Sequence, residues 1–118
     1  AAASAASTAA LMELLNQKLR PLLNHPDLAP RLAGITILDE LISLDGEPYQ
    51  PKVQRSYNGL RDVLSKTHDL HTSRLAAESL GHLSRLGGLL AARCVEKELL
   101  RAIERLSLAP APPPPSTS

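Results

Sequence analysis

Apolar residues return at three- and four-residue spacing in five blocks of this chain, and proline, glycine or aspartate punctuates the blocks. The first helix is expected from about Thr8 to Asn24, with Leu11, Leu14, Leu15, Leu19, Leu22 and Leu23 as its apolar stripe. Pro21 is expected to kink or shorten its final turn, and Pro26 to stop it. Asp27 is a favourable N-cap for a second helix that reaches about Leu44, and Pro30 is tolerated in the first turn. Leu28, Leu32, Ile35, Leu38, Leu41 and Ile42 form its inner face, Gly34 allows a close neighbour, and Asp45-Gly46 ends it. Glu47 to Pro51 reads as a short rigid connection, with Pro51 placed to start a third helix over 51–66. That helix puts Val53, Tyr57, Leu60, Val63 and Leu64 inside, and Lys52, Arg55, Arg61, Asp62 and Lys66 on its wet sides. Thr67-His68-Asp69 is a turn with Asp69 as cap. A fourth helix over 70–86 carries Leu70, Leu75, Leu80, Leu83 and Leu86, with Ala76, Ala77 and Gly81 permitting tight packing. Gly87-Gly88 ends it, and a fifth helix over 89–107 carries Ala92, Val95, Leu99, Ala102, Ile103 and Leu106.

The blocks repeat. At an offset of 42 residues Asp27 meets Asp69, Leu28 meets Leu70, Gly34 meets Ala76, Leu38 meets Leu80, Leu41 meets Leu83 and Gly46 meets Gly88. Leu11, Val53 and Val95 share that register, as do Leu15, Tyr57 and Leu99, and Leu22, Leu64 and Leu106. Two helices per unit at this period is the signature of HEAT or armadillo arrays. The expected fold is therefore all-α, an α-α superhelix of five helices in two and a half repeats. It divides into an Ala/Ser-rich lead or linker at 1–8, hairpins at 9–46 and 47–88, a lone first helix of a third repeat at 89–108, and a Pro-rich linker at 109–118. The third repeat lacks its second helix, and arrays need caps or neighbours to stay soluble. The chain is accordingly read as an excerpt of a longer protein, marginal or self-associating alone because Leu99, Ile103 and Leu106 lack cover.

Composition narrows the function classes. The chain is 43% hydrophobic but has two tyrosines and neither Phe nor Trp, which suits thin helical layers better than a deep core. A net charge of +1 creates no field to gather nucleic acid or an anionic membrane, and aromatic platforms for single strands are missing. One cysteine cannot form an internal disulfide. No apolar run approaches the roughly 18 residues of a membrane span, and Ala1 to Ala10 lacks the basic start of a signal peptide.

Candidate chemistry is sparse. His68, His71, His82 and Cys94 could bind zinc only by converging from different segments, and recognisable ligand spacing is absent. Cys94 beside Val95 reads as a packed thiol rather than a nucleophile. Asp39-Glu40 and Glu96/Glu98 do not converge on a helix as an acid and base pair would. Kinase signatures and phosphate-loop glycines do not occur, so no catalytic residue, metal ligand or cofactor site is assigned. Surface remains. Arginine is enriched at interface anchors. Arg55, Arg61, Arg74 and Arg101 are taken as partner-binding candidates among scattered arginines that include Arg85, Arg93 and Arg105, while Leu99, Ile103 and Leu106 are taken as inter-repeat packing residues.

The same residues resemble the N-terminal HEAT solenoid of target-of-rapamycin Ser/Thr kinases, from about Asp27 to Leu106. The likeness is carried by Arg31-x-x-Gly34-Ile35, Leu41-Ile42, Gly46 and Arg55-x-x-Asn58-x-Leu60-Arg61-x-x-Leu64, then by Ala76, Gly81-x-Leu83 and Gly87. Its sharpest part is Val95-Glu96-x-Glu98-x-x-Arg101-Ala102-x-Glu104-x-Leu106, where Glu96 and Glu104, like Asn58 earlier, are polar residues that packing does not demand. The resemblance implies a segment of a dimeric cytoplasmic kinase, associated peripherally with the lysosome or vacuole, whose catalytic domain lies elsewhere. It also implies neighbouring HEAT repeats and a raptor-like regulatory subunit as partners. The proline tail departs from that pattern, as an insertion or a cut would. A free-standing HEAT adaptor, such as a transport receptor or phosphatase scaffold, is the competing expectation, and a small helical enzyme relying on Cys94 or His82 a distant third.

Overall fold

The computed structural model describes residues 2–66 and 69–108. The expected turn at Thr67-His68 and the Pro-rich linker at 109–118 lie outside the described residues. The order is α1 (Ala2–Leu23), α2 (Leu28–Ser43), α3 (Tyr49–Lys66), α4 (Leu70–Ser84) and α5 (Leu89–Leu108). α1 begins at Ala2 rather than about Thr8, so the Ala/Ser stretch continues the helix, in keeping with alanine's propensity. Pro21 sits within the final turn of α1, and α3 starts at Tyr49, two residues before Pro51. Among the described residues there is no strand, and no helix is long and apolar enough to cross a membrane.

The two aspartate caps diverge for a local reason. Asp69 Oδ2 accepts the Thr72 amide N–H at 2.8 Å and the Thr72 hydroxyl at 2.7 Å. Asp27 occupies the same place before α2 with no side-chain cap bond. A cap carboxylate bonds the N–H two or three residues on. Three residues on from Asp27 stands Pro30, which has no N–H, where the second unit has Thr72.

Each helix touches only those one or two steps away in the chain: α1 meets α2 and α3, α2 meets α3 and α4, α3 meets α4, and α5 meets α3 and α4. α1, α3 and α5 thus form one layer and α2 and α4 the other. This is an all-α stack of helix pairs, not a bundle closed on itself. Ile35, Leu38, Ile42, Val53, Leu60 and Leu83 fill the interior between the layers. At Gly34 the α1 backbone comes so near that an added Cβ would stand 2.9 Å from Leu22 Cβ and 3.1 Å from Leu23 N. Ala76, its counterpart, is fully buried, whereas Ala77 is exposed and Gly81 faces open space, so neither of the latter serves packing.

Several apolar stripes face outward. On α1, Leu11 and Leu14 are exposed, while Met12, Leu19 and Leu23 are buried. On α4, Leu70 and Leu86 are exposed. On α5 the buried residues are Ala91, Cys94 and Glu98, while Leu99, Ala102, Ile103 and Leu106 face out. Small side chains at Ala91 and Cys94 let α5 lie close on its neighbours, and a hydrogen bond from α3 secures Glu98.

Candidate interaction surfaces

The expected partner-binding arginines separate into one internal tie and three nearer the surface. The Arg55 side chain is only 10% exposed and is not on a wet side. Its Nε and Nη2 donate to the two oxygens of Glu47 at 3.2 and 2.6 Å, a bidentate pair that fastens the 44–48 loop to α3. Its Nη1 is buried without a partner. Lys52 is likewise buried, and its ammonium donates to the Leu44 carbonyl at the end of α2. Arg61 is exposed and stands 5.9 Å over the Tyr57 ring. Arg74 is exposed and lies 3.7 Å from Glu78 one turn along α4. Arg101 donates to Glu98 at 2.7 Å, half withdrawn from solvent.

Polar residues one repeat apart tie the units together. Arg31 donates through Nε to Thr72 Oγ1 at 3.1 Å and through Nη1 to the His25 and Pro26 carbonyls. The Tyr57 hydroxyl donates to Glu98 Oε1 at 3.0 Å. The Tyr49 hydroxyl donates to the Gly87 carbonyl at 2.7 Å and accepts the Ala91 N–H at 3.1 Å, so a side chain of α3 caps the start of α5. Gly88, at φ +85°, leaves the space that this ring occupies, and a Cβ there would collide with it. Tyr49 and Ala91 are 42 residues apart. Their register was visible in the chain; their contact was not.

One of these ties has the outline of a nucleophilic triad. Ser43 Oγ lies 3.0 Å from His82 Nε2, His82 Nδ1 lies 3.0 Å from Asp39 Oδ1, and Ser79 donates to the same Asp39 oxygen at 2.8 Å. Acyl transfer also needs N–H donors aimed at the developing oxyanion. Ser43 closes α2, where carbonyls project and the helix dipole repels negative charge. The group is therefore a clamp between α2 and α4, placing Asp39 and His82 in packing rather than chemistry.

Burial pushes the Cys94 thiol up from its ordinary value, so it is a poor nucleophile at neutral pH. Burial and the bond to Glu98 raise Tyr57. The Thr72 bonds hold the Asp69 carboxyl below its ordinary value. No three His, Cys, Asp or Glu side chains converge as a metal site among the described residues, and His68 lies outside them. Of the polar residues carrying the family resemblance, Arg31, Arg55, Glu98 and Arg101 all have internal partners, so packing explains them. Glu96 and Glu104 remain exposed.

Among the surfaces left open, two stand out. The outer side of α5 presents Leu99, Leu100, Ile103 and Leu106, each more than half exposed. The seam between α1 and α3 opens into an apolar pocket of about 300 Å³ and a polar groove of about 400 Å³, and both are lined by Asn16 and Arg55.

The chain is 38% identical over 92 residues to the Ser/Thr-protein kinase tor1 of Schizosaccharomyces pombe, an alignment covering 78% of this chain and 4% of that protein. It is 36% identical over 96 residues to TOR2 of Saccharomyces cerevisiae, covering 80% of this chain and 4% of that one. A third relative, TOR of Oryza sativa subsp. japonica, is 32% identical over 92 residues. The chain thus spans about 4% of the length of the curated relatives it matches. No family model matches the chain, and no solved structure does.

Proposed function

This chain is a relative of one segment of the target-of-rapamycin Ser/Thr protein kinases, and from that premise we propose that it is a non-catalytic HEAT-type scaffold within such a kinase. It presents helix faces to neighbouring repeats and to a raptor-like regulatory subunit, in a cytoplasmic dimeric complex that reaches the lysosomal or vacuolar surface peripherally. The observation that carries the reading is the open stack, in which helices meet only near neighbours and α5 turns an apolar side outward. Its polar clusters are consumed in internal ties, which favours a role in binding over one in catalysis. The competing reading, a free-standing HEAT adaptor, shares this geometry. A kinase signature set in the parent reading frame supports the first, and a frame that lacks one supports the second.

The scaffold reading makes the α5 face a contact. Covering Leu99, Ile103 and Leu106 contributes about 1.5 to 3 kcal/mol for each side chain fully buried. In sedimentation equilibrium the isolated chain should self-associate, and Leu99→Glu with Ile103→Glu should return it to monomer. A clean monomer of the unaltered chain, melting sharply at the same temperature at every concentration, overturns the assignment of that face.

A further inference from the structure

We propose that the seam between α1 and α3 binds a short peptide in which an apolar side chain stands beside a run of carboxylates. The proposal rests on the scaffold reading, to which it adds a location and a partner chemistry. The repeat builds the seam: at the 42-residue offset Asn16 faces Asn58, Arg20 faces Asp62 and Asn24 faces Lys66. α1 and α3 lie side by side, and Lys66 reaches across to Asn24 Oδ1 at 3.5 Å.

The groove carries surplus positive charge. Lys66 is matched by Asp62 at 3.1 Å, and Arg55 is matched by Glu47. Among the described residues Arg20 and Arg61 have no carboxylate partner, and the chain as a whole is almost neutral. Arg55 also lines the groove, but Glu47 holds two of its nitrogens and its Nη1 is enclosed by the fold, so the free charge at the seam is that of Arg20 and Arg61. Asn16 and Asn58 offer side-chain amides between the cations, and amides pair with peptide backbone as well as with carboxylates.

The adjoining pocket selects among anions. Across Asn16 and Arg55 the lining turns mainly apolar, with Ala9, Met12, Pro48 and Pro51 around about 300 Å³; Glu13 and the Arg55-bound Glu47 at its wall disfavour a carboxylate there and leave it to the apolar side chain. Free phosphate would use only the cationic half. A bilayer needs a protruding surface, whereas this one is recessed between two helices. A peptide with one apolar residue followed by acidic ones fills both halves. From Arg55 to Lys66 the α3 wall is about 16 Å long, room for about five extended residues.

The test is fluorescence polarisation of the full chain with a labelled peptide of one leucine followed by four glutamates. Saturable binding is expected, weakening as salt rises toward the ionic strength at which the Debye length is about 8 Å. Replacing the leucine by serine, or the glutamates by glutamines, should each reduce affinity. Arg20→Gln with Arg61→Gln should weaken binding by about tenfold or more, while Arg105→Gln, on α5, should leave it unchanged. Both arginine variants lie on exposed positions, and equal thermal midpoints would confirm that the fold survives. The Leu99→Glu/Ile103→Glu chain should bind the peptide like the unaltered chain, which separates failure of this site from failure of the α5 reading. Equal binding of the glutamine peptide overturns the proposal. So does full displacement by inorganic phosphate at low millimolar concentration, or retention on phosphatidylserine vesicles without peptide binding.

Discussion

Gly34→Ala sets two known effects of one methyl group against each other, and the structure decides the sign. In a helix interior, alanine is favoured over glycine by about 0.5–1 kcal/mol. At Gly34, however, the added carbon would stand 2.9 Å from Leu22 Cβ, 3.1 Å from Leu23 N and 3.2 Å from the Leu22 carbonyl carbon. Ordinary contact needs about 3.5–4.0 Å, so α1 and α2 must part by roughly half an ångström or more. Two of the three neighbours are backbone atoms, which no rotamer change can move. Overpacking of this kind costs about 1–3 kcal/mol, so the net loss should be about 0.5–2 kcal/mol. Gly81→Ala supplies the control, because nothing lies within 4 Å of its added carbon. That variant should gain about 0.5–1 kcal/mol. Urea unfolding followed by helical circular dichroism measures both, and at this chain length each kcal/mol moves the thermal midpoint by about 4 °C. If Gly34→Ala is stabilised as much as Gly81→Ala, the close approach of α1 and α2 is refuted. The second repeat already shows the alternative solution, since Ala76 is accommodated with complete burial between its neighbours.

Asp69→Ala should lower the thermal midpoint by removing a side-chain cap, while Asp27→Ala should leave it nearly unchanged; paired thermal melts in the same buffer decide it. Because its folded-state value is depressed, ionised Asp69 contributes stability above its ordinary pKa of 3.8, and that contribution is lost as pH falls below it. Acid unfolding curves of the parent and of Asp69→Asn should therefore draw together below about pH 4; curves that stay equally separated would contradict the cap. Cys94 should react with a thiol reagent slowly in the folded chain and fast in urea, and equal rates at pH 7 would show that α5 does not bury it.

Helix number, helix breaks and the repeat register are legible in the chain because they depend on forces acting within a turn or two. Proline and glycine interrupt hydrogen bonding locally, and leucine at three- and four-residue spacing makes a stripe whatever lies opposite. On α5 the apolar stripe of Leu99, Ile103 and Leu106, read as lacking cover, lies outward, and the helix packs through Ala91, Cys94 and Glu98, residues that apolar periodicity does not single out. Periodicity shows that a helix has sides, and only the neighbouring helices determine which side is covered. Met12 replaces Leu11 and Leu14 inside for the same reason. Charge is subject to the same rule. Lys52 and Arg55 look solvated in sequence, and tertiary structure turns them inward because a carbonyl at Leu44 and a carboxylate at Glu47 wait within reach. The α1–α3 seam, too, exists only after folding, when residues 42 apart become neighbours. Local chemistry decides the elements; mutual burial, which no single segment contains, decides their faces and leaves the open surfaces where binding can occur.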